Sequence, residues 1–261
     1  MSATVVVESV SKSFPRRPGS FVPHGRNTAL KGVSLQVEAG TVLVLLGPNG
    51  SGKTTLLKLV SSMLYPDSGH IRVRGYDIQD DEEAVRRHVG FAVANERSFF
   101  ARLTARENLE FFAALEDLSP AEARHRIDEV LFRVALHGFA TRLVREYSAG
   151  MYQRLALARA LLKRPGVLLL DEPSRSLDPT AAFDLWQLVR EAAGSGAAVI
   201  VTSHSFEEVA QVADEVLLLV RGVVVGRQRF LYPRSPEEVR SFYYGGLEAA
   251  SRVECAAVSP A

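Results

Sequence analysis

The chain has only one cysteine, Cys255, in its C-terminal tail. It can form no internal disulfide, which fits a reducing compartment, and it receives no functional role. Charge of either sign is not in excess: 31 basic residues nearly cancel 30 acidic ones, leaving +1. Such a balance gives no reason to expect nucleic acid as a partner. Long apolar runs are missing too. The longest, such as 42–46 and 216–220, are strand-sized, far below the roughly 18 to 20 residues that span a bilayer. The opening "MSATVVVESV" has no basic n-region and too short an apolar stretch for a signal peptide. No internal repeat or low-complexity tract is evident. A soluble chain that reaches a membrane only through a partner is the expectation.

What is present suits a globular body. With 261 residues, 47% of them hydrophobic, the chain has enough apolar material for a substantial core. Residues 4–10 and 33–37 read as strands joined by "PRRPGSFVPHGRN", a Pro/Gly/Arg-rich loop. Residues 41–46 form a continuous apolar run between glycines, as in a strand buried on both faces of a parallel sheet. A helix over 53–64 follows. From about 82 to 163 the texture is helical, with capping boxes at Thr104/Glu107 and at Ser119/Glu122, where Pro120 takes the first helical position. Strand-like runs return at 167–170, 197–201 and 216–220, alternating with helices at 181–193 and 206–213. The tail offers one helix from "SPEEV", capped by Ser235, and a loose end, "CAAVSPA".

The stretch "LLGPNGSGKTT", 45–55, follows a strand and opens a helix, and it fits G-x-x-x-x-G-K-[ST]. Its residues Gly47, Pro48, Asn49, Gly50, Ser51, Gly52, Lys53, Thr54 and Thr55 are the candidate phosphate cradle. Glycine lets the backbone curl close to phosphate, with amide N–H groups and a helix N-terminus facing the charge. Lys53 supplies a cation to the β/γ-phosphates, and Thr54 a hydroxyl to Mg²⁺.

In "VLLLDEP", Asp171 ends an apolar run, at the strand edge where ligands of open α/β sheets bind. Asp171 is the candidate Mg²⁺ ligand, and Glu172 the group that orients or deprotonates the attacking water. In "VIVTSHSFEE", His204 also ends a strand, within reach of a γ-phosphate. The competing reading is a helix start, with Ser205 and Glu208 as a capping box; the two are compatible.

Together with "YSAGM" and "SRSLDP", these residues resemble the nucleotide-binding subunits of ATP-binding cassette (ABC) transporters over roughly residues 4–226. The resemblance implies an α/β fold: a P-loop NTPase core with a mostly parallel central sheet, a small antiparallel β subdomain and an inserted helical subdomain at about 89–164. Residues 1–227 would be the ATPase domain and 228–261 a partly helical extension with a disordered end. It also implies ATP and Mg²⁺, two subunits sharing two sites, most simply as a homodimer, and a separate integral membrane permease that holds the chain at the cytoplasmic face. Ser148, Ala149 and Gly150 would present a hydroxyl, backbone amides and a helix N-terminus to the partner's γ-phosphate, with Asp178 near the same junction.

Departures from the family pattern are specific. Tyr147, Ala149 and Met151 stand where the family usually has leucine, glycine and glutamine, and the alanine methyl loosens a close backbone approach. The family's Mg²⁺-contacting glutamine has no counterpart. Asn95 takes its place, with Ala94 and Glu96 as neighbouring alternatives. "NERSFFARLTARENLEFF" looks similar to cassettes of export-type permeases, including polysaccharide and drug exporters. Phe99, Phe100, Phe111 and Phe112 read either as a seat for a permease helix or as lobe core. Phe14 reads as a ring stacked on adenine or as a plain strand-end residue. The rivals are a cassette ATPase of DNA repair or translation, disfavoured by the absence of a long coiled coil or a second cassette, and a module that binds ATP without turnover, disfavoured by Glu172 and His204.

Overall fold

A computed structural model of the chain describes residues 3–15, 26–93, 98–175, 177–230 and 235–258. Its strands are β1 (Val5–Pro15), β2 (Arg26–Val37), β3 (Val42–Leu46), β4 (Ser68–Val73), β5 (Tyr76–Asp77), β6 (Val89–Val93), β7 (Val167–Asp171), β8 (Ala198–Thr202), β9 (Glu215–Val220) and β10 (Val223–Arg229). Its α-helices are α1 (Lys53–Val60), α2 (Glu82–His88), α3 (Ala105–Leu115), α4 (Pro120–Arg133), α5 (Ala149–Leu161), α6 (Pro179–Gly194), α7 (Phe206–Val212) and α8 (Pro236–Val258).

The central sheet runs β10-β9-β3-β8-β7-β6 and is parallel except for the β10/β9 hairpin at one edge. Its inner strands carry almost no polar side chain because both faces are covered. Alternate residues enter different cores, as the two-residue strand period demands. Val42, Val44, Leu168, Leu170, Val199 and Val201 meet α5, α6 and α7 on one face. Leu43, Leu45, Val167, Leu169 and Ile200 meet α1 and the second sheet on the other. That second sheet, β2-β1-β4-β5, is antiparallel.

Helices α3, α4 and α5 lie between β6 and β7 in the chain and pack together against the same core as one face of the central sheet. Both expected capping boxes are present, at Thr104/Glu107 and Ser119/Glu122. Arg126, buried on α4, donates to the carbonyls of Leu161 (2.9 Å) and Leu162 (3.0 Å), so it satisfies the C-terminal end of α5 and pins the lobe.

Three local readings are corrected. Residues 89–93, expected to open the helical lobe, form β6 and pair in parallel with β7. A Cβ on Gly90 would lie 2.2 Å from the Ala160 carbonyl oxygen, so the strand needs glycine where α5 crosses it. The stretch expected as one loop between the first two strands is shorter, because β1 runs to Pro15 and β2 starts at Arg26. There Asp67 accepts from the Ser13 amide and from Lys12 and Arg26, which holds the strand ends together. In the tail, α8 runs to Val258, so 255–258 of the seven residues read as loose are helical, while 259–261 lie outside the described residues. Val239 is fully buried and Phe242 packs over Gly226, so tertiary contact holds the first two turns of α8. Among the described residues, no helix is long and apolar enough to cross a membrane.

Candidate functional site

Parallel registry sets the site. Leu45 and Asp171 both lie opposite Thr202, so β3, β7 and β8 end together and release their next residues on one side of the sheet. From β3 the chain enters the glycine loop and α1. At Gly47 (φ 151°) a Cβ would stand 2.0 Å from the Leu219 carbonyl oxygen, and at Gly52 (φ 107°) 2.5 Å from that of Ala29. Only glycine lets the loop press this closely on its floor. Lys53 is buried and folds back, its Nζ donating to the carbonyls of Gly47 (2.7 Å) and Pro48 (3.1 Å). Burial pushes its ammonium below the ordinary lysine value, while Glu172 and Asp171 pull the other way. The Ser51 hydroxyl is buried without a hydrogen-bond partner, in a loop otherwise shaped for an anion.

Asp171 is held on both oxygens. Thr54 Oγ1 donates to Oδ2 at 2.8 Å, and Thr202 Oγ1 donates to Oδ1 at 2.7 Å. Thr202 also accepts the amide of Glu172 at 2.8 Å. Glu172 itself sits at φ 50°, a strained conformation for a residue with a side chain. Its carboxylate meets His204 Nε2 at 2.7 Å and Arg175 at 3.2 Å. Lys53, Thr54, Asp171, Glu172 and His204 are thus brought together as the sequence suggests.

The remaining residues stand apart from this cluster. Ser148 caps α5, its hydroxyl accepting the Met151 amide at 3.2 Å, and Ser148 and Ala149 are exposed. No hydrogen bond among the described residues joins Ser148, Ala149 or Gly150 to residues 47–55. Asp178 caps α6 by accepting the Ala181 amide at 2.9 Å. Phe14 is half-buried on β1, with the Lys12 ammonium 5.8 Å from its ring centre. Asn95, with Ala94 and Glu96, lies outside the described residues. The capping box expected at Ser205/Glu208 is only half made: Ser205 accepts the Glu208 amide at 3.2 Å, but the Glu208 carboxylate takes the Ser203 hydroxyl at 2.7 Å. Phe99 and Phe112 pack in the lobe core, whereas Phe100 and Phe111 form an exposed edge-to-face pair at 4.9 Å.

Sequence reading missed Thr202, Arg175 and Gln153, whose amide donates to the Glu172 carbonyl at 3.4 Å. Thr202 alone carried a signal, as the polar residue closing an apolar strand.

Residues 30–175 match the ABC transporter family. The chain is 41% identical over 207 residues to the daunorubicin resistance ATP-binding protein DrrA3 of Streptomyces coeruleorubidus, covering 79% of this chain and 65% of that one. It is 35% identical over 199 residues to the ABC transporter ATP-binding protein NatA of Bacillus subtilis (strain 168), covering 76% and 81%. Thus it spans less than two thirds of DrrA3 but most of NatA. Among solved structures, a dimeric ATP-binding cassette in a post-hydrolysis state, bound to ADP and Pi, superposes with a TM-score of 0.76 at 26% identity, covering 88% of this chain and 99% of that one. The strand-end cluster, the glycine loop and these likenesses agree: the chain belongs to the ABC transporter family, as one of its ATP-binding cassettes.

Proposed function

We propose that this cassette powers translocation, most simply export, through a separate membrane permease, by closing with a second copy of itself around two ATP molecules. The observation that carries the reading is the Thr54–Asp171–Thr202 chain of hydrogen bonds, which fixes hydroxyl and carboxylate oxygens beside Lys53 and the glycine loop. Residues 1–227 form the cassette in this reading, and 228–261 an extension docked on it.

In this reading, residues 47–55 cradle the phosphates, with the unpartnered Ser51 hydroxyl and the Lys53 ammonium turned from loop carbonyls to phosphate oxygens. Phe14 takes the adenine face. Thr54 and Asp171 offer hard oxygens 2.8 Å apart, a donor set that suits Mg²⁺, with phosphate oxygens and water completing the shell. No group of three His, Cys, Asp or Glu side chains among the described residues could hold a metal alone, which agrees with a site that the nucleotide completes. Bound there, the ion would neutralise phosphate charge. Asn95 is the proposed further ligand.

Glu172 accepts a proton from water as the water oxygen bonds to the γ-phosphorus and the bond to the ADP oxygen breaks. His204, 2.7 Å from that carboxylate, orients it and contacts the transferred group. Ser148, Ala149 and Gly150 of one copy face the γ-phosphate held by the other, with Asp178 nearby; the exposure of Ser148 and Ala149 and the absence, among the described residues, of a hydrogen bond to their own glycine loop support this arrangement. For the permease we propose a cleft of about 270 Å³ lined by Met63, Phe91, Phe112, Glu116 and Arg159, with the exposed Phe100/Phe111 pair continuing the aromatic surface from Phe112. The permease would hold the chain at the cytoplasmic face. The matched family and the name of NatA, an ABC transporter ATP-binding protein, support transport over DNA repair or translation.

Glu172→Gln tests the reaction. It should bind ATP, lose at least about a hundredfold in turnover and accumulate as an ATP-dependent dimer on size-exclusion chromatography. Unchanged phosphate release would remove Glu172 from its role.

A further inference from the structure

The strained Glu172 is restrained at every polar atom. Its amide donates to Thr202, its carbonyl accepts from Gln153 (3.4 Å) and from the Arg175 amide (3.2 Å), and one carboxylate oxygen meets His204. The other oxygen, Oε2, accepts from Arg175 Nη1 at 3.2 Å. The backbone bond from Arg175 to the Glu172 carbonyl closes the turn through Pro173 and Ser174, and so returns the arginine side chain to the glutamate three residues before it.

We propose that Arg175 is a positioning residue for ATP hydrolysis: its guanidinium fixes the plane of the Glu172 carboxylate at the mouth shared with His204. The inference rests on Glu172 being the base. Both oxygens are engaged, one by each neighbour, yet a carboxylate has about four acceptor sites, so room remains for the proton of the attacking water. Holding the acceptor still matters because small misplacements of a reacting group are costly in rate. For stability the pair counts little. The Arg175 side chain is 62% exposed, and exposed ion pairs contribute marginally. The same feature separates the two roles, since a merely structural pair would move neither turnover nor the melting temperature.

The experiment is steady-state phosphate release by the full chain, with thermal melting alongside, for Arg175→Ala, Arg175→Lys, Glu172→Gln and the double variant Glu172→Gln/Arg175→Ala. Arg175→Ala should lower kcat about tenfold with KM for ATP and Tm unchanged. Arg175→Lys should keep most of the rate, because the contact is a single N–H donor and the ammonium supplies one. Adding Arg175→Ala to Glu172→Gln should change nothing further, since the group being positioned is gone. Unchanged or raised kcat in Arg175→Ala, a loss carried by KM or Tm, lysine no better than alanine, or an equal further loss in the double variant would each overturn the proposal. Full activity of Glu172→Gln is a different outcome: it would overturn the assignment of the base itself.

Discussion

The Thr202 hydroxyl donates to Asp171 at 2.7 Å while accepting the Glu172 amide at 2.8 Å, so one buried oxygen ties the candidate metal ligand to the candidate base. Thr202→Val keeps shape but leaves a buried carboxylate oxygen and a backbone amide without this partner. A loss of about 1–3 kcal/mol is expected from that change. Denaturant unfolding measures it; a loss below a few tenths would show that the bridge carries no weight. Phosphate release should fall together with stability. Lys53, Thr54, Asp171 and Glu172 were legible in the sequence because each sits at a fixed distance from a glycine loop or an apolar run. Thr202 showed only as the polar residue closing an apolar strand, and Gln153 and Arg175 carried no signal. The first two reach the site only through pairing and packing across 30 and 19 residues, and Arg175 through a turn whose strained Glu172 conformation no local pattern announces.

At the level of elements, the helix starts were the most readable features, because a capping box is a local contract between two side chains and two backbone amides. Both boxes in the lobe make a prediction about pH. The Thr104 amide and hydroxyl hold the Glu107 carboxyl below the ordinary range, and the Ser119 hydroxyl and amide do the same for Glu122. A carboxyl whose folded value is depressed adds stability above its unfolded value and loses it as pH falls through the folded one. Acidification below the usual glutamate range should therefore loosen the first turns of α3 and α4 before the central strands, as read by residue-resolved amide exchange. Equal loosening of β3 at the same pH would contradict this. Strand β6 escaped sequence reading because a tertiary neighbour holds it: α5 lies over Gly90. The first turns of α8 are anchored in the same way, with Phe242 over Gly226 of β10 and Tyr243 against Phe206 of α7.

For the whole molecule, the central sheet divides two cores and brings three strand ends to one edge, and this explains why the chemistry collects there. That much followed from the alternation of apolar runs and helices. The edge gathers Lys53, Asp171, Glu172 and His204, while at the exposed α5 N-terminus the Ser148 hydroxyl accepts the Met151 amide of its own helix. The central claim is that a second copy brings its Ser148 to this edge. Mixing two inactive full-length variants tests it most directly. Glu172→Gln spoils the base, Ser148→Arg spoils the capping surface, and a mixed dimer contains one site with both lesions and one with neither. Phosphate release that is absent from each variant alone and appears on mixing is the predicted result; turnover by the Ser148→Arg variant at the wild-type rate, or a mixture as silent as its components, would contradict the account.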